Sequence, residues 1–426
     1  MSKLAVLGGK PACEHRVTYK WPKVTIESER LVLSQLRSGE LSIYDRSGVI
    51  RDFETMFGEI HGAQYVLVTS SGTAALHSAY YAIGLGPGDE VLCSTYTFFA
   101  TVMPLFQLGA LPVLVDCLED GTFDCNAAEA LITDRTRAIV VTHMWGLPCD
   151  MADVVSFCER HSLALVEDCS HAHGATWNRQ KVGTFGDAGA WSMQTKKIIA
   201  AGEGGVLLAG SRIVYDRAQL LGHFNKRAIQ EMDTAHELYK YAATGLGLKY
   251  RAHPLGIAFA LGQLPMLNEW ISHKQVAAKE IWSILSSIPG VYPLGMSDDS
   301  RGSAYYAFTA VVNPNESGIT RDRLVDAIKA ENFYEIDIPK ATSPLHTFEI
   351  FHEPLSPVFR YDRTAIRVPA FPVADRIAST SFKVAVPCEK AGDLERDAYI
   401  GALQAVISKL VGDLPALAGS RHEGAG

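Results

Sequence analysis

The fold is decided by the stretch Tyr65-Val-Leu-Val-Thr-Ser-Ser-Gly-Thr-Ala-Ala-Leu76. Its first five residues are rich in β-branched and apolar side chains and predict a short strand, and Thr73–Ile83 has the apolar spacing of a helix. The turn between them contains Gly72. Backbone N–H groups at a helix start, together with Ser and Thr hydroxyls, suit a phosphate, although the same residues also cap helices that bind nothing. The stretch has neither the Walker loop nor the glycine pattern of dinucleotide-binding folds.

The same alternation of strand and helix continues downstream. Helical or loop stretches separate most of the further strand candidates, which are Glu90–Ser94, Pro112–Asp116, Ala138–Thr142, Leu163–Glu167 and Gly189–Met193. Strands that alternate with helices predict a mostly parallel sheet that is covered by helices on both faces. The sequence therefore predicts an α/β protein built on one large sheet.

The segments on either side of this region predict further units. Residues 1–40 are expected to form an N-terminal arm and a helix, residues 41–265 the large α/β domain, and residues 266–418 a smaller α+β domain. The elements that support these boundaries are helices at Ile26–Leu36, Leu264–Leu285, Arg321–Ala330 and Asp393–Val411 and a strand at Ala304–Val312. The tail, residues 419–426, is predicted to be disordered.

The composition excludes several classes of protein. Of 426 residues 47% are hydrophobic, and the net charge of −8 provides no basic field for nucleic acid or anionic lipid. No uncharged apolar run is long enough to span a bilayer. The eight cysteines show no CxxC pair and no zinc spacing, and the first residues lack the apolar core of a signal peptide. We therefore expect reduced thiols, a cytoplasmic location, and neither nucleic-acid nor membrane partners.

A second group of polar residues follows a predicted buried strand, in the segment Val166-Glu-Asp-Cys-Ser-His-Ala-His173. Open α/β sheets bind ligands at the carboxyl ends of their parallel strands. The acidic pair at this strand end could therefore form a metal site, act as a base, or pair with a ring nitrogen. The alternative is a capping aspartate beside histidines that are satisfied in the core. Asp168, His171 and His173 do not form an established ligand pattern, so no metal is expected.

A third candidate is the segment Trp191-Ser-Met-Gln-Thr-Lys-Lys-Ile-Ile-Ala-Ala-Gly-Glu-Gly-Gly205. Burial among small and apolar residues lowers the pKa of a lysine and makes it a nucleophilic amine. Two exposed lysines on a turn would give the same sequence pattern. The order of the three segments is more informative than any one of them. A phosphate site, a strand-end aspartate and a buried lysine are together what pyridoxal 5'-phosphate requires.

With these segments in place, the chain resembles the DegT/DnrJ/StrS family of sugar aminotransferases, a branch of the fold-type I pyridoxal phosphate enzymes. The likeness runs from about Trp21 to the last helix. It rests on five ordered segments, Ser71-Gly-Thr-Ala-Ala-Leu, Gly86-Pro-Gly-Asp-Glu-Val, Tyr96-Thr-Phe, Glu167-Asp-Cys-Ser-His-Ala-His-Gly, and Ser192–Lys197 followed by Gly202-Glu-Gly-Gly. The resemblance implies an aspartate aminotransferase-like fold with pyridoxal 5'-phosphate as cofactor.

The resemblance also implies a role for each matching residue. Lys197, five positions after the family's serine at Ser192 and six before the glutamate at Glu203, is the Schiff-base lysine, and Lys196 beside it is not. Asp168 is implied as the partner of the pyridine nitrogen, which keeps the ring an electron sink.

The other implied contacts surround the cofactor. Phe98 is expected to stack on the face of the ring and His171 to lie by its edge. Gly72, Thr73 and Ser192 are implied as phosphate ligands.

One position departs from the family pattern. Many members have an asparagine in a Gly-x-Asn-Tyr-Arg segment that reaches the phosphate of the neighbouring subunit, and this chain has Lys249 there. Lys249 could still bind that phosphate as a point charge, or it could meet an anionic substrate. The resemblance further implies a homodimer, because fold-type I sites are completed across a subunit interface.

The function implied is transfer of an amino group from glutamate or glutamine to a keto sugar or keto-cyclitol. Amino-sugar, cell-surface glycan or aminoglycoside-type biosynthesis is the expected setting. The alternatives are a pyridoxal phosphate-dependent epimerase, lyase or dehydratase, and a non-catalytic regulator that kept the fold. The residues considered for the acceptor pocket are His143, Trp145, His223 and Arg251. The alternative for His143 and Trp145 is packing in the core after a strand.

Overall fold

The computed structural model describes residues 3–352 and 369–419. The strands, in chain order, are β1 (Tyr65–Thr69), β2 (Glu90–Ser94), β3 (Leu111–Val115), β4 (Thr136–Thr142), β5 (Ala164–Asp168), β6 (Thr176–Trp177), β7 (Gln180–Lys181), β8 (Ala188–Ser192), β9 (Gly205–Ala209), β10 (Val291–Pro293), β11 (Arg301–Gly302), β12 (Phe308–Val312), β13 (Ile336–Asp337) and β14 (Ser381–Val384).

The α-helices, in chain order, are α1 (Ile26–Ser38), α2 (Gly48–His61), α3 (Gly72–Ala82), α4 (Met103–Leu108), α5 (Cys125–Glu129), α6 (Met151–His161), α7 (Arg212–Gly222), α8 (Lys226–Glu231), α9 (Pro254–Leu261), α10 (Leu267–Leu285), α11 (Pro314–Ser317), α12 (Arg321–Ala330), α13 (Pro372–Thr380) and α14 (Leu394–Gly419). Short 3₁₀ helices lie at Ala5–Leu7, Phe99–Thr101, Met144–Gly146, Glu237–Tyr241, Leu264–Met266, Lys340–Thr342, Leu345–Thr347 and Glu349–Phe351.

The large sheet has seven strands in the order β1, β9, β8, β5, β4, β2, β3. Neighbouring strands from β8 to β3 run parallel, whereas β9 runs antiparallel to both β1 and β8. The carboxyl ends of the parallel strands β4, β5 and β8 therefore meet at one edge. At that edge Thr142 is in register with Asp168, and Asp168 is in register with Ala190. The prediction of a mostly parallel sheet in an α/β fold is confirmed.

Both faces of this sheet are buried, as the alternation along its strands requires. On one face, Leu67, Val140 and Val166 pack with side chains of α3. On the opposite face, Val68 packs with α2 and α9, and Leu165 packs with α6. Helices on both faces hold the strand ends rigid, which is what positions the site described below.

The remaining described strands form two smaller sheets. Strands β10, β12, β14 and β13 make an antiparallel four-stranded sheet, which shares a core with α10, α12 and α14, and β11, β6 and β7 make a short three-stranded one. The N-terminal arm packs onto this second core. The Leu4 N–H donates to Asp413 at 2.8 Å, and Leu4 is fully buried among the same side chains.

The structure changes two predicted elements here and adds a strand that was not predicted. The predicted helix at Leu264–Leu285 begins instead at Leu267, and the residues before it, Leu264–Met266, form a short 3₁₀ helix. The strand predicted from Ala304 begins at Phe308, since Tyr305 has a φ of +45° that extended backbone does not allow. The sequence analysis missed β9, which follows the glycines of the lysine segment and lies inside the sheet.

The last helix is longer than its predicted range of Asp393–Val411. It continues to Gly419, so this residue is helical rather than the start of the tail, and residues 420–426 lie outside the described residues. Within the described part of the chain, this helix is the one that is long and apolar enough to cross a membrane by length and composition. Its Leu403, Ile407 and Leu410 are fully buried in the core of the four-stranded sheet. A core helix of a soluble protein passes the same test, so the finding is weak evidence for a membrane span.

Candidate active site

A cavity of about 370 Å³ opens at the carboxyl-end edge of the large sheet. Seven of the eight predicted site residues line it, namely Gly72, Thr73, Phe98, Asp168, His171, Ser192 and Lys197. They come from the start of α3, the loop after β2, and the ends of β5 and β8. The topology therefore brings together residues that are up to 125 positions apart in the chain.

Lys197 lies in the loop that joins β8 to β9, and hydrogen bonds fix its backbone. Its N–H donates to the Gln194 carbonyl at 2.7 Å, and the Trp21 indole donates to its carbonyl at 3.0 Å. The Nζ atom lies 4.7 Å from the centre of the Tyr306 ring. Burial lowers the pKa of Lys197 to about 8, the Asp168 carboxylate opposes this shift, and the Lys383 ammonium adds to it. Such a lysine is poised near neutral pH to act as nucleophile or base.

Asp168 is the last residue of β5, and its carboxylate is buried at the floor of the cavity. The Thr101 hydroxyl donates to Oδ2 at 2.8 Å and the Ser170 N–H donates to Oδ1 at 3.0 Å. A chain of hydroxyls extends from Thr101 through Thr97 to Thr142, with oxygen separations of 3.0 and 2.9 Å. Isolated threonines give no pattern in a sequence, so these supporting groups were not predicted.

Glu167, next to Asp168, points to the other side of the sheet because side chains alternate along a strand. Its carboxylate accepts N–H groups from Gly183 at 2.6 Å, Phe185 at 2.7 Å and Gly186 at 3.0 Å. The His143 ring nitrogen Nε2 lies 3.1 Å from it. Ligand atoms of His143, Glu167 and Cys169 lie within 4.8 Å of one another, but the carboxylate already has a full set of donors. Glu167 therefore holds the loop at residues 183–186 in place, whereas Asp168 faces the cavity.

We expect the change Glu167→Gln to destabilise the protein by about 1 to 3 kcal/mol, because three backbone N–H groups would then face a neutral amide in a buried position. Glu129→Gln, on the exposed end of α5, should change stability by less than about 0.5 kcal/mol. Urea unfolding of both variants measures the difference. Equal midpoints for the two variants would contradict the role given to Glu167.

The start of α3 presents backbone N–H groups to the cavity. Ser71 caps the helix by accepting the Ala74 N–H at 3.1 Å, and the N–H groups of Gly72 and Thr73 donate to no other described residue. A Cβ atom on Gly72 would lie 2.7 Å from the Cβ of Ser192, so only glycine lets the helix start approach the end of β8 this closely. Free N–H groups and the positive end of a helix dipole make an anion site.

Aromatic rings form one wall of the cavity. The His171 ring stacks on Tyr306 at 4.1 Å, and Trp145 lies 5.5 Å from His171. Burial, with the charges of nearby lysines, holds the pKa of His171 well below its usual value, so the ring is neutral. Phe98 lies at the mouth, 37% exposed, against Phe99. The sequence analysis missed Tyr306, which reaches the site from a loop more than 100 residues after Asp168 and carries no motif.

The sequence matches the profile of the DegT/DnrJ/EryC1/StrS aminotransferase family over residues 24–384. The chain belongs to this family. It is therefore a transaminase of fold type I that works with pyridoxal 5'-phosphate.

Individual members of the DegT/DnrJ/EryC1/StrS family give the scale of the likeness. The L-glutamine:2-deoxy-scyllo-inosose aminotransferase of Micromonospora echinospora is 31% identical over 344 residues, which cover 78% of this chain and 80% of the relative. The GDP-perosamine synthase of Escherichia coli O157:H7 is 30% identical over 334 residues, which cover 78% and 86%. Among solved structures, the aminotransferase from Psychrobacter cryohalolentis has a TM-score of 0.80 at 25% identity and covers 92% of this chain and 98% of that chain.

The cavity of this aminotransferase fits its cofactor in charge and in hydrogen bonding. The N–H groups of α3 suit the phosphate, and the buried carboxylate of Asp168 suits the proton of a pyridinium nitrogen. The Nδ1 atom of His171 is buried and has no hydrogen-bond partner among the described residues. Such an orphaned polar atom in the cavity wall indicates a polar ligand beside it.

Other predicted residues lie outside this cavity. Lys249 is exposed and lines a separate hollow with Ser42 and His253, so within one subunit it does not approach Lys197. Its assignment to the partner's phosphate stays a prediction. Arg251 lies over the Tyr44 ring at 4.5 Å, also away from the cavity of its own chain.

Of the histidines considered for an acceptor pocket, neither contributes to the lining. His143 is fully buried with its ring directed at Glu167, and the Nε2 atom of His223 lies 2.8 Å from the Val68 carbonyl. Each histidine contacts a buried partner instead, so His143 follows the alternative of core packing, and His223 does not line the cavity of its own chain. Trp145 does line the cavity. The Nε2 atom of His173 lies 2.8 Å from the Ser192 carbonyl, so this residue is a histidine that is satisfied in the core.

Proposed function

We propose that this aminotransferase moves an amino group from glutamine or glutamate to a keto sugar or keto-cyclitol, in the synthesis of an amino sugar, a cell-surface glycan or an aminoglycoside-type natural product. The L-glutamine:inosose and perosamine relatives support this substrate class. The observation that carries the proposal is that Lys197, a half-buried residue with a desolvated amine, shares one cavity at the strand ends with Asp168.

The residues of the chain would divide the work as follows. Bound pyridoxal 5'-phosphate supplies an electron sink that makes a proton on the carbon next to the amino group removable. Asp168 would hold the proton on the ring nitrogen, while Gly72, Thr73 and Ser192 would bind the phosphate. Lys197 would hold the cofactor covalently at rest and, once released, would move the proton as base and then as acid.

The alternative of an epimerase, lyase or dehydratase differs in what happens to the amino donor. A transaminase releases one oxo acid from glutamine or glutamate for each amino group transferred. We therefore propose to incubate the holoenzyme with each donor and a panel of keto sugars and inososes, and to measure oxo acid and aminated product together. Equal amounts of the two establish the proposed function. Conversion of an acceptor without oxo acid would establish the alternative.

The pKa of Lys197 predicts how cofactor attachment depends on pH. Only a neutral amine forms the covalent link, and the neutral fraction rises as the pH increases through the pKa. In cofactor-free protein, the rate at which pyridoxal 5'-phosphate becomes attached should therefore rise to a plateau with a midpoint near pH 8. An ordinary lysine would give a midpoint near about 10.4. Stopped-flow absorbance measures the rate, and a midpoint at the ordinary value would contradict the burial argument.

We propose further that the enzyme is a cytoplasmic homodimer. Several apolar side chains are exposed on α1 and on two loops, among them Ile26, which is 90% exposed, Leu36, Leu41, Leu246 and Leu248. The two loops lie side by side, because Leu41 and Lys249 line the same hollow. Large exposed apolar patches mark interaction surfaces. Lys249 follows directly in the chain, which supports its contact with a partner's cavity. Sedimentation at decreasing concentration tests the dimer, and a fully active monomer at high dilution would exclude it.

A further inference from the structure

A second cavity, of about 550 Å³, lies directly beside the one that holds Lys197. Lys196, Tyr306 and Lys383 line both cavities, so the two cavities adjoin at these residues. A molecule bound with its reacting carbon near Lys197 can therefore extend past Lys383 into the second cavity.

The lining of the second cavity is rich in cations, and most of them are already occupied. Lys329 forms an ion pair with Asp337 at 3.4 Å, and Lys274 donates to the Val386 carbonyl at 2.6 Å. Arg16 lies over the Tyr334 ring at 4.0 Å. These groups set a positive field but are satisfied within the chain.

Lys383 differs from them. Its neighbours in β14, Phe382 and Val384, are fully buried in the core of the four-stranded sheet, so strand alternation directs Lys383 to the opposite face, toward the cavities. Its register partner on β13 is Asp337, but that carboxylate pairs with Lys329. Over residues 3–352 and 369–419, the Lys383 ammonium has neither a hydrogen bond nor a carboxylate within 4 Å, although the side chain is half-buried. It lies over the face of the Trp145 ring, whose centre is 5.9 Å away, and the Asp337 carboxylate attracts it from a longer distance.

A distant ring face compensates a partly buried ammonium group only weakly, so its burial is costly unless a close anion provides the negative charge. Burial lowers the pKa of Lys383, which shows the same cost. Lys196, exposed at the rim of both cavities, is close enough to Lys383 for their charges to repel each other. The two ammonium groups thus create a position where an anion is favoured.

We propose that Lys383, assisted by Lys196, binds a negatively charged group of a substrate at the junction of the two cavities. This inference rests on the proposed function and names a specificity-determining site for it. The oxyanion is either the carboxylate of the amino donor or a phosphate on the acceptor. A free inosose carries no charge and would not use the site.

The first test measures binding to the holoenzyme by calorimetry, with glutarate as a dicarboxylate that cannot donate an amino group and with inorganic pyrophosphate. Lys383→Met should weaken binding of at least one of these anions by about tenfold or more, and Lys383→Arg should restore most of it. Lys279→Met, on the exposed side of α10, is the matched control. Lys196→Met should weaken binding of the same anion. Because Lys196 lies on an exposed loop, this variant tests the site without disturbing the folding of β14.

Steady-state kinetics then distinguishes the sources of the anion. If the KM for glutamine or glutamate rises in Lys383→Met, the group that Lys383 binds is the carboxylate of the donor. If the KM for a phosphate-linked acceptor rises, that group is the phosphate of the acceptor. Anion affinities that are unchanged in both Lys383→Met and Lys196→Met, or a wild-type protein that binds neither probe, would overturn the proposal. The binding test needs no turnover, so it stands apart from a failure of the proposed function.

Discussion

Replacing Lys197 with alanine should reduce transamination by about 10⁴-fold or more, the upper range for loss of a group that transfers a proton during the reaction. The expected loss is large because Lys197 would hold the cofactor covalently and also move the proton. Its amine is buried, and its pKa of about 8 suits it for both tasks. Single-turnover measurements with glutamine separate the chemical step from product release.

The neighbouring lysine provides a sharp control for this prediction. After borohydride reduction, the label from pyridoxal 5'-phosphate should be found on the peptide that contains Lys197, both in wild-type protein and in Lys196→Ala. The label should be absent from Lys197→Ala. Lys279→Ala should keep full activity, since that side chain is exposed on α10, far along the chain from the site. A label that persists in Lys197→Ala would show that the covalent link is formed by another residue.

Replacing Asp168 with asparagine should reduce kcat by about 10²-fold or more, the scale of losing one preorganised electrostatic contact at a reacting group. The buried carboxylate would favour a protonated ring nitrogen, and an amide has no charge with which to do so. The asparagine oxygen can still accept from the Thr101 hydroxyl or the Ser170 N–H, so the fold around β5 should persist.

The matched variant is Thr101→Val, which removes one hydrogen bond from Asp168 but leaves its charge. We expect a smaller loss of about tenfold in kcat, because a hydrogen bond to a charged group contributes on the order of 1.5 to 3 kcal/mol. Circular dichroism and the cofactor absorbance verify that both variants are folded and loaded. A kcat for Asp168→Asn within threefold of wild type would rule out the electrostatic role.

Much of the fold could be predicted from the sequence, because strand and helix patterns are local. Tyr65–Thr69, Glu90–Ser94 and Arg321–Ala330 occur in the structure with the predicted bounds. Strand β9 was missed because its pairing partners, β1 and β8, are fixed by tertiary contacts and not by its own residues. The domain boundary at residue 265 stays a prediction.

The motif-bearing part of the site could also be predicted, and the supporting part could not. Lys197 and Asp168 belong to segments that match the family in sequence and in their order along the chain. The resemblance therefore predicts that the two residues lie at one cavity. Tyr306 and Lys383 line the same cavity, and Thr101 supports Asp168 by a hydrogen bond, but all three stand in segments with no such pattern. Their contribution depends on register and side-chain direction, which only the folded chain defines.

The reversed strand β9 has a consequence for how much active enzyme a cell contains. Gly205 pairs with Thr69 on one side and Ser192 on the other, so the pairing of β9 with both neighbours is what aligns the lysine loop with the start of α3. A ligand held between them recognises the native state and not the unfolded chain. At a concentration a hundred times its Kd, such a ligand adds about 2.7 kcal/mol to stability. Supply of cofactor therefore raises the folded fraction of the protein as well as enabling its catalysis.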